Sequence, residues 1–400
     1  MNIPVYLGSP ALTSALGSGL HTHIDTLLSP SSKPALTFSS DWVGGKNLAF
    51  GMVKEILRPF SDGTPAHCRS RTNRLLWHTL EQIEPQIRAA IRRYGANRIA
   101  VVIGTSTGGA DENIPMFRQA VQGKAWQGLT FNQCQHLMNA PADFVADAYG
   151  LNGLRYVVST ACTSGARALI SAARLLRAGM CDAVVCGGAD TLSPLTVNGF
   201  ASLEVLSPNI ANPFSANRDG INIGEGAAVF IMTRDADFSG GMRLLGYGAS
   251  SDAYHISTPR PDAQGAILAF QTALQHANLA PEDIGWINLH GTGTHHNDSM
   301  ESRAVAAVFG NNTPCTSTKP QTGHTLGAAG AIEAAFAWGI ADRQSNPEGK
   351  LPPQLWDGQN DPDLPAINLT GSGSRWETEK RIAASSSFAF GGSNCVLIIG

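Results

Sequence analysis

Cys162 stands where an apolar run gives way to a helical rhythm. Val157 and Val158 lead through Ser159, Thr160 and Ala161 to Cys162, Thr163, Ser164 and Gly165, after which Leu169, Ile170, Ala173 and Leu176 recur at helical spacing. A thiol at the first turn of a buried helix meets unpaired N–H groups and the positive end of the helix dipole. Both favour the thiolate, the nucleophilic form, which suits attack on an acyl thioester. A free cysteine among small residues reads equally well as core filling, so the remaining chemistry must come from elsewhere. His290 opens the turn His290-Gly291-Thr292-Gly293-Thr294 after the apolar stretch Trp286 to Leu289, and His324 lies in Lys319-Pro320-Gln321-Thr322-Gly323-His324. Each imidazole could donate an N–H to a developing oxyanion. Two of them converging on one oxygen would favour an enolate, as decarboxylation of a malonyl thioester requires. Metal ligation is the rival use of histidine, and His295 and His296 adjoin His290. No HExxH and no carboxylate at ligand spacing appears, so no metal is expected.

Two similar runs of elements must position these residues. In the first half, the strand pattern Ile99 to Ile103 ends in Gly104-Thr105-Ser106-Thr107-Gly108-Gly109, a helical pattern covers Asn139 to Tyr149, and the Cys162 unit follows. The glycine-rich turn lacks both GxxxxGK[ST] and GxGxxG, so a phosphate cradle is not expected. A strand from Ala183 to Cys186 comes next. Ile221 and Ile223 then read as one strand and Ala227 to Met232 as another, with a Gly-Glu-Gly turn between them. The second half runs helix (Ala263 to Ala277), strand (Trp286 to Leu289), the His324 turn, an apolar helix (Leu326 to Ile340), then strand, glycine turn and strand from Ile382 to Ile399. Cys162 precedes Gly224, and His324 precedes Gly391, by just over sixty residues. This order predicts an α/β duplication, residues 1–240 carrying the cysteine and residues 241–400 the two histidines. Pseudo-twofold packing would bring the two helix starts together. At the N-terminus, Ile3 to Leu7 reads as a strand, and the stretch up to about Lys46 as loop with one helix.

Composition narrows the class. The 400 residues are 43% hydrophobic and 15% charged, with a net charge of −3. This balance argues for a large core and against nucleic-acid binding. Seven cysteines, none in CxxC spacing, suggest neither a disulfide framework nor a zinc site, and fit a reducing cytoplasm. No lysine or arginine precedes Lys33, so no signal peptide is expected, and the apolar helix near Leu326 is too short to span a bilayer. Arg69, Arg71 and Arg74 precede the helical pattern Leu75, Leu76, Leu80, Ile83. They read either as a solvated face or as a dock for an acidic partner.

The motifs around Cys162, His290 and Lys319 to His324, with Phe388-Ala389-Phe390-Gly391-Gly392-Ser393-Asn394, together resemble the β-ketoacyl-[acyl-carrier-protein] synthases of the elongating Cys-His-His type. The resemblance covers nearly the whole chain. It implies the thiolase fold, five layers in the order α-β-α-β-α with internal duplication, and a cytoplasmic acyltransferase.

By this resemblance Cys162 carries the acyl chain, His290 and His324 stabilise the enolate, and Lys319 supports His324 and the site's electrostatics. Backbone N–H groups of Cys162 and Phe390 match the oxyanion hole, Phe388 the gate, and Thr292 and Thr294 the pantetheine contacts. Thr107 stands where relatives limit the acyl pocket near the dimer interface, and Arg69, Arg71 and Arg74 match carrier docking. Asp298, Glu301 and Glu333 match buried acids that hold the site together. No tightly bound cofactor is implied; phosphopantetheine arrives on the acyl carrier protein. The implied assembly is a homodimer, or a heterodimer with a homologous chain-length factor. Residues 69–76 and 102–109 resemble ketosynthases of bacterial aryl-polyene pathways, with housekeeping fatty-acid elongation as the alternative. A silent chain-length-factor subunit would lack the nucleophile; the other alternative, a thiolase or starter-type synthase, would use CoA thioesters, and starter-type sites resemble a Cys-His-Asn set where this chain has His324.

Overall fold

The computed structural model describes residues 3–400. Five strands of the first half form one sheet: Ala11–Ser14 (β1), Ile99–Gly104 (β2), Arg155–Val158 (β3), Ala183–Asp190 (β4) and Gly226–Thr233 (β5). Their order is β1-β5-β4-β2-β3. The middle strand β2 runs parallel to β3 and β4, while β5 is antiparallel to β4 and β1. Five strands of the second half follow the same plan: Leu244–Ser251 (β6), Trp286–Asn288 (β7), Pro314–Thr316 (β8), Ala383–Ala389 (β9) and Ser393–Ile399 (β10). Their order is β6-β10-β9-β7-β8, with the same strand senses. Each strand therefore takes the place and direction of its counterpart in the other half. Short strands extend the edges: Tyr6–Leu7 and Gly17–Ser18 in the first sheet, Asn368–Leu369 in the second.

Side chains alternate along a strand, and here both faces are buried. Val102, Cys186 and Phe230 face inward, sharing one core with Trp286, Cys395 and Leu397 of the other sheet. Val101, Ile103, Val185 and Ile231 face outward beneath Arg71–Leu80 (α1) and Ala140–Tyr149 (α2). Ile287, Ala384, Val396 and Ile398 do the same beneath Gln264–Ala277 (α4) and His295–Phe309 (α5). Between the sheets lie Ser164–Arg177 (α3) and Ala329–Ala341 (α6). Every residue of α6 is buried, as expected of a helix that is apolar all round. The result is the five-layered α-β-α-β-α thiolase fold.

Small residues let the two central helices touch. A Cβ on Gly165 would sit 2.8 Å from the backbone nitrogen of Ala331, and one on Gly330 would sit 2.7 Å from the Cβ of Ala166. The contact is reciprocal about the pseudo-twofold axis. It sets the N-terminal ends of α3 and α6 side by side, and the site is built there.

Several local expectations are corrected. Only Tyr6–Leu7 pairs within the expected first strand. Before Lys46 the chain forms the helix Leu20–Leu28 and also the strand Thr37–Val43, hairpinned with Lys46–Phe50. Ile221 and Ile223 form no strand; they make isolated bridges to Leu206 and His324. That stretch spends its backbone on holding the histidine turn.

Candidate active site

The turn between β3 and α3 is bent at Ala161, whose φ of 51° is left-handed. For a residue with a Cβ this costs about 1–2 kcal/mol, so neighbouring groups must fix it. The Ser164 hydroxyl accepts the Thr160 N–H at 2.9 Å and donates to the Ala161 carbonyl at 2.5 Å. Thr163 donates to the Thr160 carbonyl at 2.8 Å. Cys162 is thereby presented two residues before the first residue of α3. His324 is held by the other half: its N–H meets the Asn222 carbonyl at 2.7 Å, and its own carbonyl accepts the Gly224 N–H at 2.9 Å. The imidazole Nε2 lies 2.9 Å from Cys162 Sγ. Thr325 and the 3-10 turn Leu326–Ala328 separate His324 from the start of α6, so the two helix starts are less alike than their spacing suggested.

His290 follows β7, and its ring meets that of His324 edge to face at 5.2 Å. One donor atom each from Cys162, His290 and His324 all fall within 4.8 Å of one another. Lys319 lies behind His290, with Nζ 3.3 Å from Nδ1 of that ring and 2.5 Å from Glu333. An ammonium can only donate. It therefore meets the lone pair of Nδ1 and leaves the His290 proton on Nε2. Backbone geometry is fixed by Glu301, which accepts the His290 and Gly291 N–H groups at 2.7 Å each and the Ser386 hydroxyl at 2.8 Å. Burial raises the Glu301 carboxyl to about 7. Asp298 accepts the Phe214 N–H at 2.8 Å.

Electrostatics corrects the expectation of a resting thiolate. Burial pushes the Cys162 thiol up to about 12, against the nearby Lys319 charge. Burial, assisted by Lys319, holds His290 and His324 well below the ordinary imidazole range. At neutral pH the trio is a thiol and two neutral imidazoles, and the thiol proton has Nε2 of His324 as its acceptor.

A cavity of about 300 Å³ reaches this trio. Thr292, Thr294, Phe388 and Phe390 line it, together with Phe200, Leu203, Val205 and Ile221. The two threonine hydroxyls lie 3.0 Å apart, and Thr294 also caps α5. Phe388 is buried with its ring edge-on to His290 at 6.0 Å. Phe390 is partly exposed, 5.5 Å from the Phe200 ring.

Other expected positions are placed differently. Thr107 does not line the cavity; its hydroxyl lies 3.2 Å from Asp190. The arginines are committed to their own half. Arg71 forms a two-pronged pair with buried Glu225 at 2.6 and 3.1 Å. Arg74 donates to the Leu57 carbonyl at 2.9 Å and Arg69 to that of Thr64 at 2.9 Å. Arg71 is paired with a carboxylate, while Arg69 and Arg74 meet only neutral carbonyls and stay exposed. Sequence reading missed Asp190, which it met only as the end of an apolar strand. Among the described residues no helix is long and apolar enough to cross a membrane.

Fold, nucleophile and paired imidazoles define a thiolase-fold condensing enzyme. Comparison with known proteins gives the family. Residues 71–237 match the family model for the β-ketoacyl synthase N-terminal domain, and residues 242–348 that for the C-terminal domain. The chain is 33% identical to 3-oxoacyl-[acyl-carrier-protein] synthase 2 of Synechocystis, covering 77% of this chain and 76% of that protein. Among solved structures it resembles the ketosynthase ApeO of Xenorhabdus doucetiae, determined in complex with its chain length factor ApeC, at 41% identity and a TM-score of 0.91, over 99% of this chain and 98% of that one. A β-ketoacyl synthase from Burkholderia phymatum follows at 26% identity and 0.85, with 99% and 98% covered. The chain belongs to the β-ketoacyl synthase family, and its activity is that of a 3-oxoacyl-[acyl-carrier-protein] synthase.

Proposed function

We propose that this chain is the condensing subunit of an aryl-polyene or other type II polyketide-like system, working on carrier-bound thioesters. The observation that carries this reading is an intact Cys162-His290-His324 trio in a chain 41% identical, over nearly its whole length, to a ketosynthase solved with its chain length factor. The proposed partners are an acyl carrier protein and a homologous chain-length factor, with a homodimer as the other arrangement. Phosphopantetheine comes with the carrier.

In the first half-reaction the Cys162 thiol attacks the acyl thioester. Its proton passes to Nε2 of His324, 2.9 Å away, and then to the departing pantetheine thiol. Backbone N–H groups of Cys162 and Phe390 hold the tetrahedral oxyanion. Thr292 and Thr294 take the pantetheine amides at the cavity wall, and movement of Phe388 opens the way for the second substrate. In the second half-reaction the malonyl thioester carbonyl lies between the two imidazoles; with the Cys162 sulfur acylated, His324 no longer accepts a thiol proton at Nε2 and presents an N–H there in its other neutral tautomer. His290 donates through Nε2, the tautomer that Lys319 selects. Carbon dioxide leaves, the enolate carbon attacks the acyl thioester on Cys162, and the carbonyl–sulfur bond breaks to release the 3-oxoacyl carrier thioester and the Cys162 thiolate, which takes up a proton from solvent. A charged imidazole would be costly to bury here, and a neutral donor serves the enolate without one.

Saturated fatty-acid elongation is the second reading, favoured by the identity to the Synechocystis synthase. Intact-protein mass separates the two. The enzyme, with and without the homologous subunit, is mixed with saturated, polyunsaturated and aryl acyl-carrier thioesters beside Cys162→Ala. Loading of unsaturated aryl chains, absent in the variant, is expected. Exclusive loading of saturated chains would overturn the polyene reading. No loading from any donor, with or without the second subunit, would overturn both.

A further inference from the structure

Asp190 ends β4 with a fully buried carboxylate surrounded only by donors. The Thr105 hydroxyl lies at 2.7 Å, the Ser106 N–H at 2.9 Å, and the Thr107 hydroxyl and N–H at 3.2 and 3.3 Å. All belong to the loop after β2 in the first half. The remaining donor comes from the second half: the Gly327 N–H, three residues beyond His324, at 2.6 Å. Gly327 follows Leu326, whose φ of 52° is left-handed. A Cβ on Gly327 would sit 2.5 Å from the carboxylate. The carboxylate therefore bolts the His324 turn onto the half that carries Cys162, at the seam the reaction must keep in register. Its negative charge also works on the thiol. The charged groups acting on Cys162 are Lys319, which lowers it, and Asp190 and Glu333, which raise it; His290 and His324 are neutral.

We propose that Asp190 is a positioning residue of the condensing site, holding His324 in register with Cys162 across the two halves. The inference rests on the condensation reading above. Burial pushes the Asp190 carboxyl up, and the hydrogen bonds to it oppose that push; the five donors favour the charged form, because a protonated oxygen would face a donor with no acceptor to meet it. The same cradle takes the Thr107 hydroxyl, which lies 3.2 Å from Asp190.

Asp190→Asn keeps the volume, removes the charge and turns an amide N–H toward one of the donors. Two readouts then move in opposite directions. Iodoacetamide alkylation of Cys162 at pH 8, read by peptide mass, is expected to become at least twofold faster, because a charge that raised the thiol is gone. Decarboxylation of malonyl-carrier, read as carbon dioxide released, is expected to lose at least tenfold in kcat with KM within twofold. A merely loosened site would slow both reactions or leave both unchanged, and either result overturns the proposal. Should Asp190→Asn lose its melting transition, Thr105→Val takes its place. That variant removes the 2.7 Å donor and is expected to lower decarboxylation kcat at least fivefold, with Thr105→Ser restoring it. Equal activity in Thr105→Val and wild type overturns the proposal. Wild-type enzyme is the control for the underlying reading. If it alkylates at Cys162 yet never decarboxylates malonyl-carrier, the condensation reading fails, and Asp190 is then judged on alkylation alone.

Discussion

Replacing Lys319 by methionine tests the electrostatic account of the site most directly. The methionine keeps the length of the side chain and fills its buried space. It removes the donor 3.3 Å from His290 Nδ1 and the partner 2.5 Å from Glu333. Both ends of the ion pair are almost wholly buried, where stranding one charge costs about 3–5 kcal/mol. Glu333 can escape part of that cost. Burial already holds its carboxyl above the usual range, and Lys319 is the group that pulls it down. Without Lys319 it takes up a proton, so the expected loss of stability is the lower figure, about 3 kcal/mol, and Glu333→Gln in the same chain should recover most of it. Activity should not recover with it. His290 loses the ammonium that fixes its tautomer, and losing one preorganised oxyanion donor costs on the order of 10²–10³ in rate. Cys162 also loses the positive charge that lowers its thiol, so its alkylation at pH 8 should slow. The assays are thermal unfolding, malonyl-carrier decarboxylation and Cys162 alkylation, on Lys319→Met and on the double variant. Decarboxylation within threefold of wild type in Lys319→Met would refute the reasoning, because the imidazole would then need no tautomer selection from behind.

Gly165→Ala puts a methyl 2.8 Å from the Ala331 nitrogen; it should destabilise by about 1–3 kcal/mol and slow acyl loading of Cys162, and a thermal midpoint equal to wild type would contradict the close contact of the central helices. Arg71→Ala leaves buried Glu225 without its cation and should lower stability by about 2 kcal/mol, discounted because the arginine is half exposed. Arg69→Ala should leave the melting curve unchanged, and carrier affinity measured on that variant isolates docking from folding. His23 is buried between Ser14 and the Gly19 carbonyl, and burial lowers it to about 4. The unfolded chain binds its proton below about pH 6.5 while the folded chain does not, so stability falls as pH drops from 6.5 to 4. The slope is about 1.4 kcal/mol per unit, and subtracting the pH profile of His23→Gln should expose it as a difference. Parallel profiles would show that His23 titrates alike in the folded and unfolded chains and would refute the reasoning.

The chemistry-bearing residues were legible because each sits in a short local pattern. Cys162, His290 and His324 stand in glycine- and threonine-rich turns after β-branched or apolar strands, and strand periodicity and helix spacing are properties of neighbouring residues. The duplication was legible for the same reason, since the order of elements repeats even where identities do not. Other features needed the folded chain. The upward push on the Cys162 thiol came from burial by both halves, which the local sequence does not display. Arg71 looked like a free charge until the chain brought Glu225, more than 150 residues away, against it. Thr107 and Asp190 meet through a cradle drawn from β2, β4 and the turn after His324. The sequence by itself determined which groups are available and on which element each one rides. Their distances, protonation states and partners were decided only by tertiary structure, because desolvation and long-range pairing depend on what the rest of the chain lays over each residue.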